Sequence, residues 1–119
     1  MTSLFQGNCL NIIETLEPNS IDLVFLDLPY GQTQCAWDKR IDSNELWKQL
    51  ERVIKPSTPL LFTCSTKFGY ELIKSKEQMF RYDLVWQKSC PVGFLSATKM
   101  PMRKHEIIYV FYKKSPCMI

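Results

Sequence analysis

Three short apolar runs constrain this chain most: Ile21-Asp22-Leu23-Val24-Phe25-Leu26, Leu60-Leu61-Phe62-Thr63-Cys64 and Ile107-Ile108-Tyr109-Val110-Phe111. None alternates apolar with polar side chains, as a strand with one wet face does. Such runs suit strands of a mostly parallel sheet with helices on both faces. The segments between them read as helices. Asn8 caps a helix over residues 9–16, with Leu10, Ile13 and Leu16 near one face. Pro18-Asn19-Ser20 is turn chemistry. Asp42 and Glu45 have capping-box spacing before a helix over residues 44–55, whose Leu46, Trp47, Leu50, Val53 and Ile54 form one stripe. Pro56 ends it. Ser65 caps a helix over residues 66–74, weakened by Gly69.

Residues 4–6 add a short strand and residues 81–88 another. Residues 89–104 read as a long loop, because Pro91, Gly93 and Pro101 fall there. The order β-α-β-α-β-α-β-β predicts an α/β fold with a mostly parallel sheet. The last two strands lack a helix between them and are expected to be antiparallel. The final strand, apolar on both faces, is expected to be central.

With 119 residues the chain has room for one small domain. At 45 % hydrophobic and 23 % charged it reads as globular. No apolar run approaches the roughly 18 residues of a membrane span, and the N-terminus has no basic-then-apolar signal segment. The five cysteines are widely spaced, without a C-x-x-C pair, which points to free thiols in the cytoplasm and against structural zinc. The net charge of +3 is uneven: residues 1–59 carry five Lys/Arg against eight Asp/Glu, and residues 60–119 carry ten against four. A basic half suits a polyanion, although on charge alone an ordinary solvated surface is the better explanation.

The first apolar run ends in Asp27-Leu28-Pro29-Tyr30. An acid, a proline-locked turn and an aromatic ring thus meet at a strand's carboxyl end, where open α/β sheets hold ligands. The tetrapeptide resembles the Asp-Pro-Pro-Tyr motif of DNA methyltransferases that modify adenine N6 or cytosine N4. Flanking segments resemble the same family in its own order: Gly7-Asn8-Cys9-Leu10, Ile21-Asp22-Leu23-Val24, Trp37-Asp38, Arg52-Val53-Ile54-Lys55-Pro56, Val85-Trp86-Gln87-Lys88 and Lys104-His105-Glu106.

The resemblance implies a Rossmann-like methyltransferase sheet, with the catalytic motif preceding the cofactor loop and an antiparallel C-terminal strand. It implies methylation of an exocyclic amino group in DNA, with S-adenosylmethionine as methyl donor. An acid at the first motif position leans toward adenine N6. An amino nitrogen conjugated to a base ring is a poor nucleophile, and the base must leave the duplex to be reached. The resemblance gives Asp27 and the Leu28 carbonyl the role of accepting hydrogen bonds from that amine, and gives Tyr30 the role of stacking on the base. Pro29 restricts Leu28 to extended conformations, which aims its carbonyl. Leu28 departs from the commoner proline. Trp37 is either a pocket residue or a hydrophobic anchor. Lys99, Arg103 and Lys104 either contact phosphate or face solvent. His105 suits a structural hydrogen bond better than catalysis.

Asn8 stands where the family places an acid near the cofactor's adenine, and Asp27 lies close to the donor as well. The glycine-rich cofactor loop has no counterpart: Gly7, Gly31, Gly69 and Gly93 are too far apart to build it. The expectation is therefore a single partial catalytic domain over residues 1–119, holding the target-base half and inactive alone. Its tail reads as an early stop, a frameshift scar or a deliberate fragment. An apolar sheet edge then invites a homodimer or a complementing C-terminal half. The alternative from another class is a non-catalytic nucleic-acid-binding or regulatory module.

Overall fold

A computed structural model describes residues 2–27, 42–64, 66–92 and 103–116. Helix α1 (Cys9–Glu14) starts at Asn8, whose Oδ1 accepts from the Leu10 N–H at 2.9 Å. Strand β1 (Val24–Asp27) follows a turn in which Asn19 takes the left-handed conformation, φ 53°, which asparagine tolerates. Helix α2 (Ser43–Val53) is capped by Asp42, whose Oδ1 accepts from the Asn44 N–H at 3.0 Å. Then come β2 (Leu60–Cys64), α3 (Thr66–Ser75), β3 (Phe80–Val92) and β4 (Arg103–Phe111). The Ser65 cap lies outside the described residues. No helix among them is long and apolar enough to cross a membrane.

The four strands form one sheet in the order β1-β2-β4-β3. β1 pairs parallel with β2, and β4 pairs antiparallel with both neighbours. Three strands therefore run one way and the C-terminal strand runs the other. That strand is central, as its two apolar faces require.

Register sorts the side chains onto two faces. Leu60, Phe62, Tyr109 and Phe111 share one face, where Trp47 of α2 packs against Phe62 and Phe111 at centroid distances of 5.4 and 5.1 Å. Phe68 and Leu72 of α3 are buried in the same core. The opposite face carries the rows Phe25-Leu61-Val110-Tyr82 and Asp27-Thr63-Ile108-Leu84. α1 is held to α2 by Arg52, whose guanidinium donates to the carbonyls of Leu16 and Ile13, both at 2.8 Å, and Glu14 at 3.3 Å.

The structure corrects three expectations. Residues 4–6 form no strand, and Leu4 is 98 % exposed. The expected loop is strand at both ends, since β3 reaches Val92 and β4 begins at Arg103. Pro91 is tolerated there because β3 is an edge strand. Among the described residues nothing covers the Phe25 side of β1, where Phe25 is 56 % exposed, and β1 forms the other edge of the sheet.

Gly69 matters for a reason that helix propensity misses. It packs against the Tyr109 ring so closely that a Cβ at residue 69 would overlap it. Propensity alone makes Gly69→Ala stabilising by about 1 kcal/mol. The ring contact reverses the sign, and we expect a loss of about 1–3 kcal/mol in urea denaturation.

Candidate functional site

Asp27 is the last residue of β1 and lies in register with Thr63 of the parallel neighbour β2. The Thr63 hydroxyl donates to Asp27 Oδ1 at 2.8 Å. Thr63 is buried, only 2 % exposed, whereas Asp27 is exposed. The pair sits on the face opposite α2 and α3, at the carboxyl ends of two parallel strands. Open sheets of this kind present ligand sites there. Along the same face of β3 and β4, Trp86 pairs with Glu106.

The topology brings other expected residues to this end of the sheet. β4 runs opposite to β2, with Ile108 beside Thr63. Its preceding residues therefore extend past the carboxyl ends of β1 and β2. The backbones of Lys104 and Arg103 lie about 14–17 Å beyond Ile108 along the strand, at the usual rise per residue. They are strand residues rather than loop residues. His105 pairs with Gln87 across the β3–β4 ladder. Leu28, Pro29, Tyr30, Trp37 and Lys99 lie outside the described residues. Asn8 uses its side-chain oxygen to cap α1, a local duty that accounts for asparagine without a ligand.

Thr63 is the residue that the sequence reading missed. Its signal was present: it is the polar residue inside Leu60-Leu61-Phe62-Thr63-Cys64. A buried hydroxyl in such a run needs a partner.

The neighbouring Cys64 faces the helices. Burial first, and then the charge of Glu106, push its thiol from 9.0 up to about 12. It stays protonated at neutral pH and is a poor nucleophile. Tyr109 is also raised, by burial and then by Cys64 and Asp83. Among the described residues no cluster of His, Cys, Asp or Glu is placed to hold a metal ion.

The fold is similar to that of DNA methyltransferases of known structure. The chain superposes on the crystal structure of the M1.HpyAVI–SAM complex with a TM-score of 0.66 and 17 % identity, over 97 % of this chain and 55 % of that one. It matches the PvuII cytosine-N4-specific DNA methyltransferase with a TM-score of 0.60 and 15 % identity, over 92 % of this chain and 49 % of that one. In sequence it is 23 % identical to the type II methyltransferase M1.MboII of Moraxella bovis, over 97 % of this chain and 47 % of the relative. No family model matches. The chain thus spans about half the length of the methyltransferases to which it is similar.

The raised thiol and phenol carry a stability consequence. Their folded-state values lie above the ordinary ones, so their stabilisation is complete below about pH 9 and falls as pH rises toward 12. The melting temperature should drop above pH 9. Cys64→Ala should make that alkaline drop shallower in a series of thermal melts.

Proposed function

We propose that this chain provides the target-base half of a DNA amino-methyltransferase, with adenine N6 as the amine addressed. The observation that supports it best is Asp27, held by Thr63 at the end of β1 in a sheet similar to those of DNA methyltransferases. In this reading the Asp27 carboxylate and the Leu28 carbonyl accept from the amino group of an extrahelical base. Acceptance by a carboxylate favours the amine as positive charge grows on its nitrogen. Tyr30 stacks on the base and contributes about 1–3 kcal/mol. In the same reading Trp37, Lys99, Arg103 and Lys104 contact the DNA around it.

S-adenosylmethionine is the methyl donor that this reading implies. The residues described do not fit a donor site. Asn8 Oδ1 is engaged in capping α1, and Gly69 is packed against Tyr109 rather than open to a ligand. In this reading donor binding draws on residues beyond those described, and a second copy of this chain and a complementing C-terminal half are two ways to supply them. Leu23, just before the edge strand β1, and Phe25 within it are 60 % and 56 % exposed, an apolar border for such a partner. On this reading residues 1–119 by themselves are expected to transfer no methyl group. Labelled methyl from S-adenosylmethionine appearing in DNA with this chain by itself would overturn that assignment.

The reading is tested by titrating a duplex that carries one unpaired adenine. Asp27→Ala should weaken binding by about tenfold or more, the worth of a charged hydrogen bond. Raising salt from 50 to 200 mM should weaken it a further 10- to 50-fold if about three phosphates are contacted. Unchanged binding by Asp27→Ala would favour a non-catalytic nucleic-acid module instead.

A further inference from the structure

We infer that Thr63 is a positioning residue that sets the Asp27 carboxylate for amine recognition. The inference rests on the reading of Asp27 as the amine acceptor and adds a residue to it. Parallel pairing of β1 with β2 sets Asp27 and Thr63 side by side, with their side chains on one face. The Thr63 Oγ1–H donates to Oδ1 at 2.8 Å. An ionised carboxylate only accepts hydrogen bonds, so the direction of this one is fixed.

The donor is more firmly held than the acceptor. Thr63 is 2 % exposed and belongs to an interior strand flanked by β1 and β4. Its β-branched side chain has few accessible rotamers. Its burial makes exchange of the bond for water costly. Asp27, in contrast, is exposed at the end of an edge strand. Left alone, its carboxylate would turn freely about two torsions. Engaging Oδ1 restricts both torsions and assigns Oδ2 to the incoming amine. Thr63 itself never touches the base. Its contribution is orientation, the kind of pre-organisation that a recognition site draws from its supporting residues.

The test compares probes that differ by one amino group. A duplex with an unpaired adenine is measured against the same duplex with unpaired purine, which lacks the exocyclic amine. Unpaired cytosine against 2-pyrimidinone repeats the contrast for the other base class. The parent protein should prefer the amino-bearing base of one pair by about tenfold. Thr63→Val removes the hydroxyl at nearly constant volume and should reduce that preference to about twofold or less. Thr63→Ser keeps the hydroxyl and should restore it. Thermal melts accompany each variant, and Thr63→Ala replaces Thr63→Val if the latter fails to fold.

A merely structural Thr63 would weaken both members of a pair alike and leave the ratio intact, and that result overturns the inference. A preference lost in Asp27→Ala yet retained in Thr63→Val defeats the role of Thr63 alone. No preference in the parent protein on either pair defeats the amine-acceptor reading, and the role of Thr63 falls with it.

Discussion

The contact of Trp47 with Phe62 and Phe111 is the one on which the rest of the structure depends. The two phenylalanine rings meet edge to face at 5.3 Å and belong to the two middle strands. Trp47 lies against both, and its indole N–H donates to Ser75 Oγ at the end of α3 at 2.9 Å. One side chain from α2 therefore joins two strands and a second helix. Packing of this kind excludes water from an area that isolated helices of 10 or 11 residues could not cover alone. Thr63 follows Phe62 and points to the other face, so the same contact also fixes the level at which the site hydroxyl stands.

Much of this was legible in the residues. The caps at Asn8 and Asp42 were read from residue type and spacing, and both side chains accept the expected backbone N–H. The central place of β4 followed from its apolar character at both parities. The antiparallel β3–β4 pairing followed from the missing helix. Other features were not legible, for physical reasons. The apolar run ending at Asp27 reports what favours burial, not what is buried, and β1 lies at an edge with Phe25 exposed. Pro91 reads as a breaker, yet an edge strand has N–H groups that nothing needs. Gly69 reads as a weak helix residue, and only the approach of Tyr109 explains it.

The site was legible in part. Asp27 at a strand end carried its own signal, because the acid follows an apolar run and precedes a proline-bearing turn. Thr63 signalled only that a buried hydroxyl needs a partner, not which one, because that partner lies 36 residues away in the chain. The Arg52-to-Pro56 element shows the same limit. Its resemblance to a family segment gave no role, whereas the fold gives several: Arg52 closes the end of α1, Lys55 pairs with Asp22 at 2.6 Å, and the Pro56 carbonyl accepts from the Lys114 N–H at 3.0 Å. These contacts brace the amino-terminal end of the sheet. The opposite end is left to present Asp27 and the start of β4.

The place of the last strand has a kinetic consequence. β4 leaves the ribosome after the other three strands described, yet it fills the middle of their sheet, between β2 and β3. Leu60 must wait for Phe111, roughly fifty residues later in synthesis, before its neighbour on that side exists. Until then β1 and β2 form only a two-stranded ribbon, which is marginal in water. β3 has no place to dock in the meantime. Pairing β4 with β2 must first close a loop of about fifty residues, the kind of non-local contact that slows folding. Damage to residues 107–111 would not trim a border. It would divide the sheet in two.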